Sequence, residues 1–206
     1  MRAKNKERGA ALIELAVVLP LLLALILGAL DFGLAFMDRL TVRHAASQSA
    51  RNGSALGADA AADLLILQGI EAGLAGAVDA NVITRVLIYE ADLNGDIQGN
   101  TYNQYVYDTA FAPCNWNPCP DPAGTPVYGN PSNWGDPSGI STCPGGTTPN
   151  RDNVLDSGGP CAGVATLGVR ICYNHTWLTG ILPIFNGTVE WCENARNQVE
   201  PDVFGT

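Results

Sequence analysis

One stretch constrains this chain more than any other. Ala10 to Leu30 reads "AALIELAVVLPLLLALILGAL", twenty-one residues with a single charge, Glu14. As a helix it rises about 31 Å, the thickness of a bilayer's hydrocarbon core. A core helix of a soluble domain carries a polar face at 3.6-residue spacing, whereas this stretch is apolar all round except at Glu14, so it reads as a membrane span. Arg2, Lys4, Lys6 and Arg8 precede it and no lysine follows Lys6. The positive-inside bias therefore keeps the N-terminus cytoplasmic and exports everything beyond Asp31. A secretory signal cut after Ala35 is the competing reading. Its apolar region is normally about 7 to 15 residues, and Glu14 and Pro20 sit badly inside one.

The exported side holds seven arginines against eighteen acidic residues. Such a surface repels nucleic acid and anionic lipid alike, so neither is expected as a partner. All six cysteines, Cys114, Cys119, Cys143, Cys161, Cys172 and Cys192, lie beyond the span, as a disulfide framework in an oxidising compartment requires. Zinc is the rival use. The Cys114 to Cys119 spacing suits a loop better than a metal knuckle, no second matched pair follows, and His44 and His175 are remote in sequence, so no metal site is expected.

Met37 to Arg51 has neither proline nor glycine, so the spanning helix is expected to continue outward until Asn52 and Gly53 stop it. A second helix is expected from about Gly57 to Ala80, with Ile66, Ile70, Leu74 and Val78 forming a stripe that packs on a sheet. "VITRVLIYEAD", Val82 to Asp92, reads as a strand. Asn94-Gly95 supplies the positive backbone angles of a hairpin turn, and Thr101 to Asp108 is the return strand. "DLNGD" has its glycine too early for a calcium loop and is read as the turn.

Residues 113–163 hold ten of the thirteen prolines, nine glycines and four of the cysteines, a composition that fits an irregular loop stapled by disulfides. Regular structure resumes at Gly163 to Trp177 and at Asn186 to Cys192. Paired antiparallel, these put Val169, Ile171, Tyr173, Val189 and Trp191 on the core face and leave Cys172 and Cys192 together on the other, so a Cys172–Cys192 bridge is expected. The partners of the other four cysteines stay open, since six cysteines admit many connectivities. No nucleophile elbow, phosphate loop or metal-spaced histidine pair occurs, so neither an enzyme nor a cofactor is expected. His44 reads as a solvated residue, His175 as a satisfied strand-end residue.

The residues "RGAALIELAVVLPLLLALILGALDFG" resemble the N-terminal signature of TadE-like proteins, pseudopilins or minor pilins of the tight-adherence branch of type IV pilus systems. "VITRVLIYEAD", "LGVRICYNHTW" and "VEP" at Val199 to Pro201 are similar in flavour to exported domains of that family. The resemblance implies a basic leader, residues 1–9, that a prepilin peptidase removes between Gly9 and Ala10. It implies a transmembrane helix, 10–36, and an exported α+β domain, 37–206, with a long N-terminal helix, a second helix on a small antiparallel sheet and the stapled loop. Glu14 becomes the fifth mature residue and, with Pro20, an assembly residue. The implied partners are the peptidase, other pilins or pseudopilins, the assembly platform and the membrane; the implied place is the cytoplasmic membrane, single-pass, and a surface pilus used in adhesion. The alternative from another class is a membrane-anchored extracellular binding protein that does not polymerise, contacting its target through Trp116, Trp134 and Tyr128 of the loop.

Overall fold

The computed structural model describes residues 3–120, 140–143, 146–149, 151, 164–178 and 187–200, with the backbone alone for 3–11, 99–101, 140–143 and 146–149. Two units emerge, one of Met1–Asp38 with His175–Val189 and one of Arg39–Asn174 with Glu190–Thr206.

Helix α1 runs Ala3–Leu56 with Pro20 inside it. In the first unit it is exposed on every side from Leu12 to Leu23. This is a helix long and apolar enough to cross a membrane, and its surface, apolar there except at Glu14, matches a lipid solvent better than water.

The second unit is a five-stranded sheet with two helical segments on one face. The strands are β1 (Ile83–Ala91), β2 (Ile97–Tyr107), β3 (Trp116–Asn117), β6 (Thr166–Thr176) and β7 (Thr188–Gln198), in the order β3-β2-β1-β6-β7. β1 pairs antiparallel with both β2 and β6. As the central strand it is buried on both faces, Val86 to Tyr89 without a break, which is why its sequence is a continuous apolar run instead of an alternating one. Val86 and Ile88 join Val42, Ala45, Ala46 and Ala50 of α1 and Ile66, Ile70 and Leu74 of helix α2 (Ala62–Leu74) in the main core. Leu87, Tyr89 and Ala91 form a second small cluster on the opposite face. The fold is thus the expected α+β arrangement of a long apolar helix, a second helix and an antiparallel sheet.

Several boundaries differ from expectation for identifiable reasons. α1 passes through Asn52-Gly53 and ends at Leu56, where Gly57 takes φ +54°. Gly53 is a close-approach residue and not a stop, for a Cβ there would lie 2.5 Å from Ile66 Cδ1 and 2.6 Å from Leu167 Cδ2. α2 is shorter than its apolar stripe. The Asp59 carboxylate caps the turn before it through the Ala61 amide at 2.8 Å, and Gly76 at φ +81° follows its end, so Val78 reaches the core only from the connection beyond. The hairpin sits where expected, but of its residues only Gly95 has positive φ. Asp92 Oδ1 accepts from the amides of Asn94 and Asp96 at 2.8 and 2.9 Å, and the Asp92 amide donates to the Asp96 carbonyl at 2.9 Å. These bonds to the backbone hold the Asp92 carboxyl below the usual range, and the loop closes with three residues instead of two.

The proline-rich segment is not wholly irregular. β3 lies at the sheet edge, and β4 (Ile140–Cys143) pairs antiparallel with β5 (Gly146–Pro149) as a separate hairpin. Residues near its start are tied to the body. Cys114 and Cys119 are bridged, and between them Trp116 is fully buried, its indole N–H donating to Glu71 Oε1 at 2.5 Å. Cys172 and Cys192 form the expected bridge, with Cα atoms 4.0 Å apart. On β7, Trp191 packs on the core as expected, while Val189 is 38% exposed. Cys161 and the side chain of Cys143 lie outside the described residues.

Candidate functional site

The charge that set the problem, Glu14, stands exposed on α1 among Leu12, Ile13, Leu15, Val17 and Val18, all exposed as well. Among the described residues it has no hydrogen-bond or ion-pair partner. A carboxylate near the middle of a bilayer costs about 2.5 to 3.5 kcal/mol, less when it reaches back to the interface. Ala10 lies four residues earlier, one helical turn, which puts the two positions on the same face. If the chain began at Ala10, its ammonium and the positive helix end would both favour the Glu14 carboxylate. Gly9 and Ala10 are helical in backbone, and their side chains lie outside the described residues. Pro20 lacks the amide that would bond the Ala16 carbonyl, so one helical hydrogen bond is missing in the most apolar region.

The other end of the bare helix is held by polar contacts that its sequence does not advertise. In the first unit Asp31 is 5% exposed, and its Oδ1 accepts from the Leu178 amide at 3.1 Å. At the next residue, the Phe32 ring meets Trp177 edge-to-face at 5.8 Å. His175 closes the group, its Nδ1 3.0 Å from Asp38 Oδ2 and its ring 5.0 Å from that of Trp177. It is thus the satisfied residue near the end of β6 that was expected, and His44 is exposed.

A buried polar centre in the second unit was not anticipated. Asp63, in the first turn of α2, has no exposed side-chain surface. Its Oδ2 accepts from Tyr105 Oη at 2.5 Å and Asn103 Nδ2 at 2.8 Å, and its Oδ1 pairs with the guanidinium of Arg151, itself 1% exposed. Arg151 belongs to the proline-rich segment, so that segment is fastened into the core by a charge. The only sequence signal was an acid at a helix N-terminus, the position that favours one.

The burial of Trp116 corrects its suggested use as a binding aromatic: with 0% exposure it offers no ring to a ligand. Trp134 and Tyr128 lie outside the described residues. Among the described residues no cluster of three His, Cys, Asp or Glu side chains is close enough to hold a metal ion.

Compared with known families, residues 9–51 match the model described as TadE-like protein. The match opens on Gly9 and closes at Arg51, covering the bare part of α1, Glu14, Pro20 and the Asp31-Phe32-Gly33 exit. It leaves "VITRVLIYEAD", "LGVRICYNHTW" and the proline-rich segment outside. Neither the curated proteins nor the solved structures returned a match.

Proposed function

From a TadE-like N-terminal segment carried on a bare apolar helix, we propose that this protein is a non-enzymatic pseudopilin or minor pilin that takes part in assembling a tight-adherence pilus and so in surface adhesion. The observation that carries the reading is the coincidence of the family match with Glu14, a lone carboxylate in the otherwise uncharged, uncovered stretch of the helix from Leu12 to Leu23.

In this account the chain is inserted with residues 1–9 in the cytoplasm and residues 37–206 exported. A prepilin peptidase cuts between Gly9 and Ala10, removing Arg2, Lys4, Lys6 and Arg8 together with Glu7. The new ammonium at Ala10 and the carboxylate of Glu14 on a neighbouring subunit then neutralise each other as the spans pack in the assembly platform. Burying either charge alone is costly, which selects for correct stagger between subunits. Pro20 supplies a point at which the helix can bend or open as the span leaves the bilayer. The exported acidic domain, with its bridged cysteines, is the part displayed outside.

The test is the N-terminal residue of the protein purified from its native membrane. Ala10 is expected. Met1 identifies a simple anchor and Phe36 a secreted product, and either one removes the pseudopilin reading.

A further inference from the structure

The sequence from Thr176 to Val189, "TWLTGILPIFNGTV", connects β6 to β7 without a single charged residue, and six of its fourteen side chains are Trp, Leu, Ile or Phe. Connections on an exported, strongly acidic domain are normally polar, because they run through water. The geometry points to a different solvent. We infer that Trp177 and Leu178, seated on the end of the span, form a second membrane contact, lying in the boundary between headgroups and acyl chains of the outer leaflet.

The placement follows from α1. Counting 1.5 Å per residue from Ala10, Asp31 stands about 31 Å along the helix, the depth at which the hydrocarbon ends. The Leu178 amide is bonded to the Asp31 carboxylate and the Trp177 ring to that of Phe32, so both residues are fixed at that level. This is the depth at which tryptophan is enriched in membrane proteins, its ring apolar and its N–H polar. Around them the surface is apolar: Leu178 is 75% exposed, and Leu30, Phe32, Leu34 and Phe36 are between 47% and 62% exposed. In water that patch is a liability, whereas at a lipid boundary it is matched.

The exposure of the helix changes toward that level. Bare from Leu12 to Leu23, it becomes half-buried at Ala24, Leu27 and Gly28, on the same face as Asp31 and Ala35, which are buried. The Asp31 carboxylate, close to the boundary, gains a backbone donor there, which lowers the cost of holding it out of water.

The consequence is a depth stop. The span cannot slide outward without drawing Trp177 and Leu178 out of the interface, so the contact holds α1 at one height in the membrane until assembly removes it.

The inference rests on the reading of α1 as a span, and the experiment separates the two. The full-length chain is reconstituted in zwitterionic phosphatidylcholine vesicles containing lipids brominated either near the headgroup or near the bilayer centre. Tryptophan emission is compared between wild type, Trp177→Phe, and Trp177→Phe carrying Leu21→Trp. The wild type is expected to be quenched most by the shallow bromines, with that quenchable emission lost in Trp177→Phe. The Leu21→Trp chain is expected to be quenched most by the deep ones. Quenching of Leu21→Trp with no lipid-quenchable emission from Trp177 overturns the second contact and leaves the span standing, as would be the case if a second copy of the chain covered that patch. Absence of quenching at both positions overturns the span and the contact together.

Discussion

The buried pair of Asp63 and Arg151 makes the sharpest stability prediction. Arg151→Met keeps most of the aliphatic stem and removes the charge, leaving a carboxylate with no exposed surface and only the neutral donors of Tyr105 and Asn103. Removing one partner of a buried pair costs about 3 to 5 kcal/mol, against about 0 to 1 kcal/mol for a pair in water. Asp63→Asn removes the carboxylate from the other side of the same pair and should also destabilise. The double variant has no stranded charge, so its loss should fall short of the sum of the single losses by up to about 3 kcal/mol, the upper end for directly coupled residues. Urea unfolding of the detergent-solubilised chain reads this through Trp116, whose indole sits against Glu71 on the same helix. A loss under about 1 kcal/mol for Arg151→Met, or additive single losses, would refute the claim that a buried charge fastens the proline-rich segment.

Three further outcomes are expected. Non-reducing peptide mapping should recover Cys172 linked to Cys192 and Cys114 linked to Cys119; free thiols holding zinc would contradict both. Gly53→Ala should lower stability by about 1 to 2 kcal/mol through overpacking although alanine is the better helix former, because the new Cβ meets Ile66 and Leu167, neither with any exposed surface; a more stable variant in the same urea assay shows that the core yields there. Burial pushes the Glu90 carboxyl above its usual range, so its contribution is full below the ordinary glutamate pKa and is lost as pH rises through the folded value. Glu90→Gln should therefore melt higher than wild type at neutral pH, with the gap closing in acid, and a gap that widens in acid would reverse the sign.

How much of this was legible in the sequence depended on the range of the signal. Ile66, Ile70 and Leu74 announced a buried helix face through spacing alone, and all three are buried. The Cys172–Cys192 bridge followed from strand alternation, which places residues of opposite parity on opposite faces. Gly53 was misread because a glycine near a helix end looks the same whether it must turn or must let another chain approach. Only the positions of Ile66 and Leu167 decide between these. Arg151 and Asp63 are 88 residues apart, and nothing local to either marks the other. The Leu178 amide on Asp31, 147 residues away, is equally silent, since a backbone donor has no sequence signature. The N-terminal signature was readable because its physics is local, a basic flank and one carboxylate within a single span.

The pilus reading is tested most directly by Glu14→Val. If Glu14 were only an interfacial residue, valine would remove a small cost and the protein would insert and function at least as well. If Glu14 pairs with the Ala10 ammonium of a neighbouring subunit, the substitution leaves that amine unpartnered as the spans pack, a loss on the order of 3 to 5 kcal/mol. The measurement is co-purification of the chain with sheared pili, at matched expression and with cleavage after Gly9 verified by N-terminal mass. The account predicts that wild type co-purifies while the valine variant stays in the membrane, inserted and cleaved; normal incorporation of the variant, or absence of the wild-type chain from the pilus fraction, would contradict it.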